Sequence, residues 1–434
     1  MNQYLLFSIL IGVQLTAQTV SFDQLKSDAT KNSHRLKLKN IDISIETARL
    51  ESVYSTLYPQ LSLAYSSEYS RNLDNASTGS ISVDDMTINS ATLYKNSMAL
   101  HLNYELYHFG ATMKQIEIGE REISLKELEG CHETIKLYTE LLDHYAKAQK
   151  AFSTSTYKSR MLLLRKELYT LKQRLYSAGK ESRVSIGDEA IRIIDLEREI
   201  EKAKLDYDES LIALSKLSYN DLDPNTTQLL PLTYSFEPIK ELDFDTTAQS
   251  KQYDEKILQK NAEISITQRS QLPTVSLYSS YYLYGSDIAE FSEAMDATRP
   301  NSWNAGVSMR WNLFEGFKYN SESKRLRYEL QRIKEEYELA RREYDYETKT
   351  KQEHLTRLEQ LTRNEIDALH ETQLKITMTQ RLRTQGEADA VSEVSVKLEA
   401  LERELTLAIE TIQQAYEAQS LATLHTKADQ CTQH

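Results

Sequence analysis

The chain has little of what interrupts helices: 434 residues carry 11 Gly and 6 Pro. That excludes collagen-like and loop-dominated chains and points to long helices. Two cysteines, Cys131 and Cys431, make no disulfide framework, and a bridge between them is not expected. A basic excess is missing as well. Lys and Arg total 52 against 65 Asp and Glu, a net charge of −13, which argues against nucleic acid as a partner because such binding rests on a basic face. After residue 20 no run of 18 apolar residues occurs, so no helix is available to cross a bilayer. Catalytic signatures are missing too. The nine histidines are scattered, with no HExxH, paired-cysteine or P-loop motif. Cys131-His132-Glu133 lies inside a predicted helix, where adjacent residues point in different directions. The chain is therefore not expected to be an enzyme or to hold a metal or cofactor.

At the N-terminus, Tyr4 to Leu15 is mostly apolar and too short to span a membrane, and Thr16 and Ala17 follow. This pattern predicts a signal peptide over residues 1–17, despite an n-region without Lys or Arg. No Cys follows it, so no lipid anchor is expected there.

What is present is a repeat. Leu106-Tyr107-His108-Phe109-Gly110 aligns with Leu313-Phe314-Glu315-Gly316-Phe317, and Arg174-Leu175 before Gly179 aligns with Arg381-Leu382 before Gly386. Both pairs share the offset 207 (313 − 106 and 386 − 179). Each copy must bury its apolar face against neighbours.

Within each copy the period changes from helical to two after a proline, Pro59 or Pro273. The predicted first repeat covers 18–219, with a helix from Phe22 to about Leu57, strands at about 59–70 and 97–109, and a helical hairpin at 110–219. A linker at 220–246 leads to the second repeat at 247–424, with strands at about 273–284 and 302–315 and a hairpin at 317–424. A tail at 425–434 closes the chain. Polar loops near 70–96 and 285–302 join the strands. About 68 residues without proline follow each strand pair, enough for roughly 100 Å of helix. Leu326, Leu330, Ile333, Tyr337, Ala340 and Tyr344 recur at heptad spacing, the seam of a coiled coil. Gly179 and Gly386 then break the helices, and each chain segment returns antiparallel.

The strands alternate apolar and polar. Leu61, Leu63, Leu100, Leu102, Val275, Leu277, Trp303, Val307, Met309 and Trp311 lie on apolar faces, predicted to meet lipid. His101, Asn103, Glu105, Asn304, Ser308, Arg310 and Asn312 oppose them and are candidates for a lumen. Trp303 and Trp311 are the only tryptophans. Eight residues apart, they stand about 20 Å apart in height after barrel tilt, near the height of an outer-membrane apolar band. The competing reading is a soluble sheet with both tryptophans in its core. Four strands cannot close a barrel, and open edges are not tolerated in lipid, so a membrane sheet requires chains to be pooled; three give twelve strands.

The duplicated order of helix, proline-led strand, loop, strand ending in Leu-aromatic-x-x-Gly, long helix, glycine turn and returning helix resembles the TolC family of outer-membrane efflux proteins. Leu106–Gly110 and Leu313–Phe317 are similar to that family's Leu-Phe-Asp-x-Gly exit. The resemblance implies a mainly α fold with a membrane β-barrel portion: a homotrimer with a twelve-stranded barrel in outer-membrane lipid and a periplasmic α-helical barrel. It implies a passive export duct of a tripartite efflux or type I secretion system, working with a periplasmic adaptor protein and an inner-membrane RND or ABC transporter. It places the protein in the outer membrane of a Gram-negative bacterium. The family's entrance lies at the hairpin tips, which map here to Gly179, Ser185, Asp188, Glu189, Gly386, Glu387, Asp389, Ser392 and Glu393. Where the family often has Asp six residues after the glycine, this chain has Ser185 and Ser392; nearby acids are candidates to replace the ring. A secreted or periplasmic coiled-coil scaffold or adhesin is the alternative function.

Overall fold

The computed structural model describes residues 18–70, 93–232, 243–287 and 290–426. The predicted signal peptide, most of the loop near 70–96 and Cys431 lie outside them. In chain order the elements are β1 (Gln18–Val20), α1 (Phe22–Asn32), α2 (His34–Tyr54), β2 (Gln60–Ser70) and β3 (Leu93–Tyr107). Then come α3 (Ala111–Ser177), α4 (Arg183–Ser218), β4 (Thr227–Leu229) and α5 (Ala248–Arg269). The chain ends with β5 (Thr274–Asp287), α6 (Phe291–Asp296), β6 (Arg299–Arg310), α7 (Lys318–Thr384) and α8 (Ala390–Leu424). Two compact units emerge, one of residues 42–126 with 253–336, the other of residues 18–41, 127–252 and 337–426 among those described.

The helical unit starts from α1. Ser21 caps it by accepting from the Gln24 amide, with Asp23 in the first turn and Lys31 in the last, complementing the helix dipole. The sequence predicts one helix through to Leu57, but Ser33 breaks it. Its ψ of 119° leaves the helical region, and the following amide, on His34, donates to the Tyr219 hydroxyl at 3.1 Å. The core below gathers Phe22, Leu25 and Ala29 with Leu137, Leu141, Leu142 and Tyr145 of α3 and Leu211 and Leu214 of α4. Each such large side chain contributes about 1.5–3 kcal/mol on burial. The Tyr145 hydroxyl bonds the carbonyl oxygens of Val20 (3.1 Å) and Leu230 (2.6 Å). Val20 ends β1 and Leu230 follows β4; these two strands pair in parallel, and β4 lies inside what the sequence reads as irregular linker. A second cluster seats Met161 and Leu168 of α3 against Val394, Leu398 and Leu405 of α8. Against the expectation of unbridged cysteines, Cys131 is buried beside Ala248, between Leu128 and Ile135, and is disulfide-bonded.

The strand unit is a sheet ordered β2-β3-β5-β6, antiparallel throughout. β2 and β5 begin one residue after Pro59 and Pro273, so the prolines stand 214 apart (273 − 59). Leu61 lies opposite Leu102 in the first hairpin; moving these by 214 and 207 gives Val275 opposite Met309, which is the pairing found in the second. The two hairpins therefore share one register as far as Tyr282, beyond which β6 slips by one residue so that Leu283 faces Pro300. β6 ends at Arg310, short of the predicted 315. Trp311 and Asn312 leave the ladder, and the Trp311 indole N–H donates to the Gln271 carbonyl at 3.0 Å. The second inter-strand loop contains α6, whose Ala294 is buried.

At both strand-to-helix turns two consecutive residues take positive φ: Phe109 (49°) with Gly110 (75°), and Gly316 (60°) with Phe317 (64°). The glycine stands second in one turn and first in the other. Among the described residues no helix is long and apolar enough to cross a membrane.

Candidate functional site

Strand geometry decides what the sheet presents, because alternate side chains point to opposite faces. The register brings the apolar candidates onto one face. Leu61 opposes Leu102, Leu63 opposes Leu100, Leu277 opposes Val307, and Tyr281 links Leu100 on one side to Trp303 on the other. This face fills no core. Leu61 is 64% exposed, Val307 63% and Trp303 74%, with Leu63, Leu100 and Met309 also exposed and Leu102, Val275 and Leu277 half-buried. Trp311 is exposed beyond the last paired residue. A soluble sheet would hide these side chains, since each one left in water forgoes roughly 1.5–3 kcal/mol.

The other face is polar. One row runs Ser62, His101, Ser280, Asn304 across all four strands, and His101 Nδ1 lies 2.9 Å from the Ser280 hydroxyl. The next row aligns Gln60, Asn103, Tyr278 and Gly306, where the Tyr278 ring lies over the bare glycine. Glu105, Ser276 and Ser308 form a third, beside Arg310 at the end of β6. Glu105 accepts from the Thr112 hydroxyl at 3.2 Å. Asn312, beyond the strand, donates to Glu315 at 2.7 Å instead of joining this face. Among the described residues β2 and β6 each keep one edge without a partner strand.

The hairpin tips form the second candidate region. Gly179 and Gly386 adopt left-handed φ of 72° and 78°, and the next amides, Lys180 and Glu387, close the helices by bonding Leu175 and Leu382 carbonyls at 2.8 and 2.9 Å. This is the glycine C-cap that a tight helical reversal requires. Ser185 and Ser392 each donate a backbone amide to a capping side chain, Ser182 and Asp389 respectively. The Ser392 hydroxyl first, and then that amide, hold the Asp389 carboxyl below its usual range by hydrogen bonding. The remaining acids divide. Asp188, Glu387 and Asp389 are exposed, whereas Glu189 and Glu393 are buried. Glu189 pairs with Arg165 and Lys172 of α3, each at 3.2 Å. Glu393 pairs with Lys397 at 2.7 Å and with Arg383, which together pull its carboxyl down to about 2. These two carboxylates face their own hairpin, leaving three acids free to face solvent at the tips.

Sequence reasoning did not single out Arg269. It ends α5 and donates to the carbonyl oxygens of Phe109 (3.0 Å) and Gly110 (2.9 Å), so its guanidinium occupies the space a Gly110 Cβ would need. The only signal was the glycine itself. Among the described residues no cluster of His, Cys, Asp or Glu is arranged to hold a metal.

Residues 25–218 match the family model described as "Outer membrane efflux protein". No curated protein matches the sequence significantly. Solved structures do match in fold. CusC, whose structures are described in terms of transmembrane channel formation, superposes with a TM-score of 0.78 at 16% identity, covering 94% of this chain and 92% of that one. The outer membrane protein VceC of Vibrio cholerae gives 0.77 at 14% identity, covering 94% and 96%. The outer membrane channel CmeC of Campylobacter jejuni gives 0.73 at 17%, covering 94% and 85%. The chain thus carries the outer-membrane efflux signature over its first repeat and the fold of these proteins over nearly its whole length, as its resemblance to the TolC family implies.

Proposed function

We propose that the protein is the outer-membrane channel-tunnel of an efflux or secretion system, acting as a passive duct. The observation that carries this reading is the sheet with an exposed apolar face, a polar face and two open edges. In lipid an unpaired edge is prohibitively costly, and four strands are too few to close alone. Pooling three chains gives twelve strands, closes every edge and turns His101, Asn103, Glu105, Asn304, Ser308 and Arg310 toward a water-filled lumen. The α3–α4 and α7–α8 hairpins form the periplasmic barrel, and their tips meet the adaptor around Gly179 and Gly386. The sequence carries no P-loop motif, and the driving force comes from an inner-membrane RND or ABC transporter.

Reconstitution into planar bilayers tests the duct directly: purified protein gives stepwise conductance and migrates as a heat-modifiable trimer from outer-membrane fractions. Recovery of the mature chain as a soluble periplasmic monomer, with no conductance, would overturn the reading.

A further inference from the structure

The sheet contains one seam between repeats, β3 on β5, and leaves the complementary one, β6 on β2, unmade. The made seam shows what a seam needs. At its end the large Arg269 side chain, from the helix before β5, fills the hollow left by Gly110 after β3. At the unmade seam the sizes are reversed. The 207 offset carries Gly110 to Phe317, and the 214 offset carries Arg269 to Ser55, in the short turn between α2 and β2. A large residue stands where the small one was, and a small one where the large one was.

We propose that, where β6 of one chain meets β2 of the next in the pooled barrel, Phe317 in the turn into α7 packs against the Ser55 turn of that second copy, taking the place that Arg269 fills in the made seam. The inference rests on the barrel reading and specifies its inter-chain contact. The surfaces are of one character. Phe314 (74% exposed) and Phe317 (69%) stand on one side, and Tyr58 (69%) with Leu57 and Tyr54 on the other. The inter-chain clasp is therefore apolar where the intra-chain clasp is a guanidinium hydrogen-bonded to backbone carbonyls.

The offsets also fix the register. Leu100 faces Tyr281 in the made seam, so Val307 faces Ser67; Leu102 faces Ser279, so Met309 faces Tyr65; Met98 faces Leu283, so Ala305 faces Tyr69. On the other face His101 faces Ser280, which places Ser308 opposite Ser66. Apart from Ser67, the apolar and aromatic residues share one side and Ser308 and Ser66 lie on the other. A shift of one residue would mix them.

Oxidative cross-linking of two double-cysteine variants in isolated outer membranes tests this. Ser67→Cys with Val307→Cys reports the strand seam; Ser55→Cys with Phe317→Cys reports the clasp. Both are expected to give covalent ladders reaching three chains. A ladder from the first pair alone overturns the clasp and leaves the barrel standing. No ladder from either overturns the barrel reading and the clasp with it. A size swap gives an independent readout. Ser55→Arg is expected to lose the heat-resistant trimer by collision with Phe317, and adding Phe317→Gly, which recreates the Arg269–Gly110 pair, is expected to restore it. A Ser55→Arg trimer as heat-resistant as the parent, or no recovery in the double variant, overturns the proposal.

Discussion

Glu189 of α4 has no exposed side-chain surface, and the Arg165 guanidinium of α3 lies 3.2 Å from its carboxylate. With Lys172 on the same helix, two cations close one buried anion inside the first hairpin. Removing the anion leaves two largely buried cations side by side, with only Glu402, 3.9 Å from Arg165, to offset them, which costs more than the set contributes net. Glu189→Ala should therefore destabilise the hairpin by about 3 kcal/mol. Limited proteolysis near Gly179 and urea titration would read the loss. An unchanged cleavage rate would mean that Arg165 and Lys172 find solvent without it.

The end of α8 carries a pH dependence. His425 sits against the Tyr344 hydroxyl, and burial lowers its pKa from 6.5 to about 4. Between those values the unfolded chain binds a proton that the folded protein does not, so stability is complete above pH 6.5 and falls as the pH drops toward 4. His425→Asn cannot titrate. The melting-temperature difference between parent and variant should shift across pH 7 to 4, in the direction of parental loss at acid pH. A constant difference would show that His425 plays no part.

Face assignment in the sheet is testable within neighbouring positions. Val307→Arg, midway between the two tryptophans, puts a charge on the apolar face and should cost about 2–4 kcal/mol, and Met309→Arg, nearer Trp311, should cost less. Ser308→Arg, one position away, lands on the polar face and should assemble normally. Outer-membrane yield of heat-modifiable trimer distinguishes them. Equal tolerance at all three positions would contradict the lipid-facing assignment and favour an exposed scaffold.

Two glycines in the same sheet should respond differently to alanine. At Gly285 a Cβ would collide with the Ala294 carbonyl and come within 2.7 Å of the Thr298 amide, both backbone atoms that cannot yield without moving α6. At Gly306 it would meet the Tyr278 hydroxyl at 2.8 Å, the far end of a side chain that can swing away. Gly285→Ala is expected to expose the segment after residue 290 to protease, and Gly306→Ala to leave it protected.

Much of this architecture is legible because its signals are local. The alternation after Pro59 and Pro273 stands out since each sheet face meets a different environment, and the glycines at 179 and 386 stand out because only their φ permits the reversal. What stays hidden depends on distant partners. Three residues are too few to show a period, so β1 and β4 are visible only once Tyr145 is seen bonding beside them. The break at Ser33 is set by Tyr219, nearly two hundred positions away. Arg269 reads as an ordinary helix-ending cation until its guanidinium is placed over Gly110. At the tips, counting acids says nothing of direction, and Glu189 turns inward because two cations on the facing helix await it.

The common hairpin register has a geometric corollary. In a closed ring of strands the stagger contributed by each unit adds around the circumference, and the total must return to a whole shift. Units that share a stagger divide that total evenly, so over the stretch from Pro59 and Pro273 to the slip after Tyr282, six hairpins pooled from three chains would tilt alike despite differing at most positions. A change that lengthened one hairpin by two residues on one side would leave a mismatch that circulates around the rim with nowhere to dissipate.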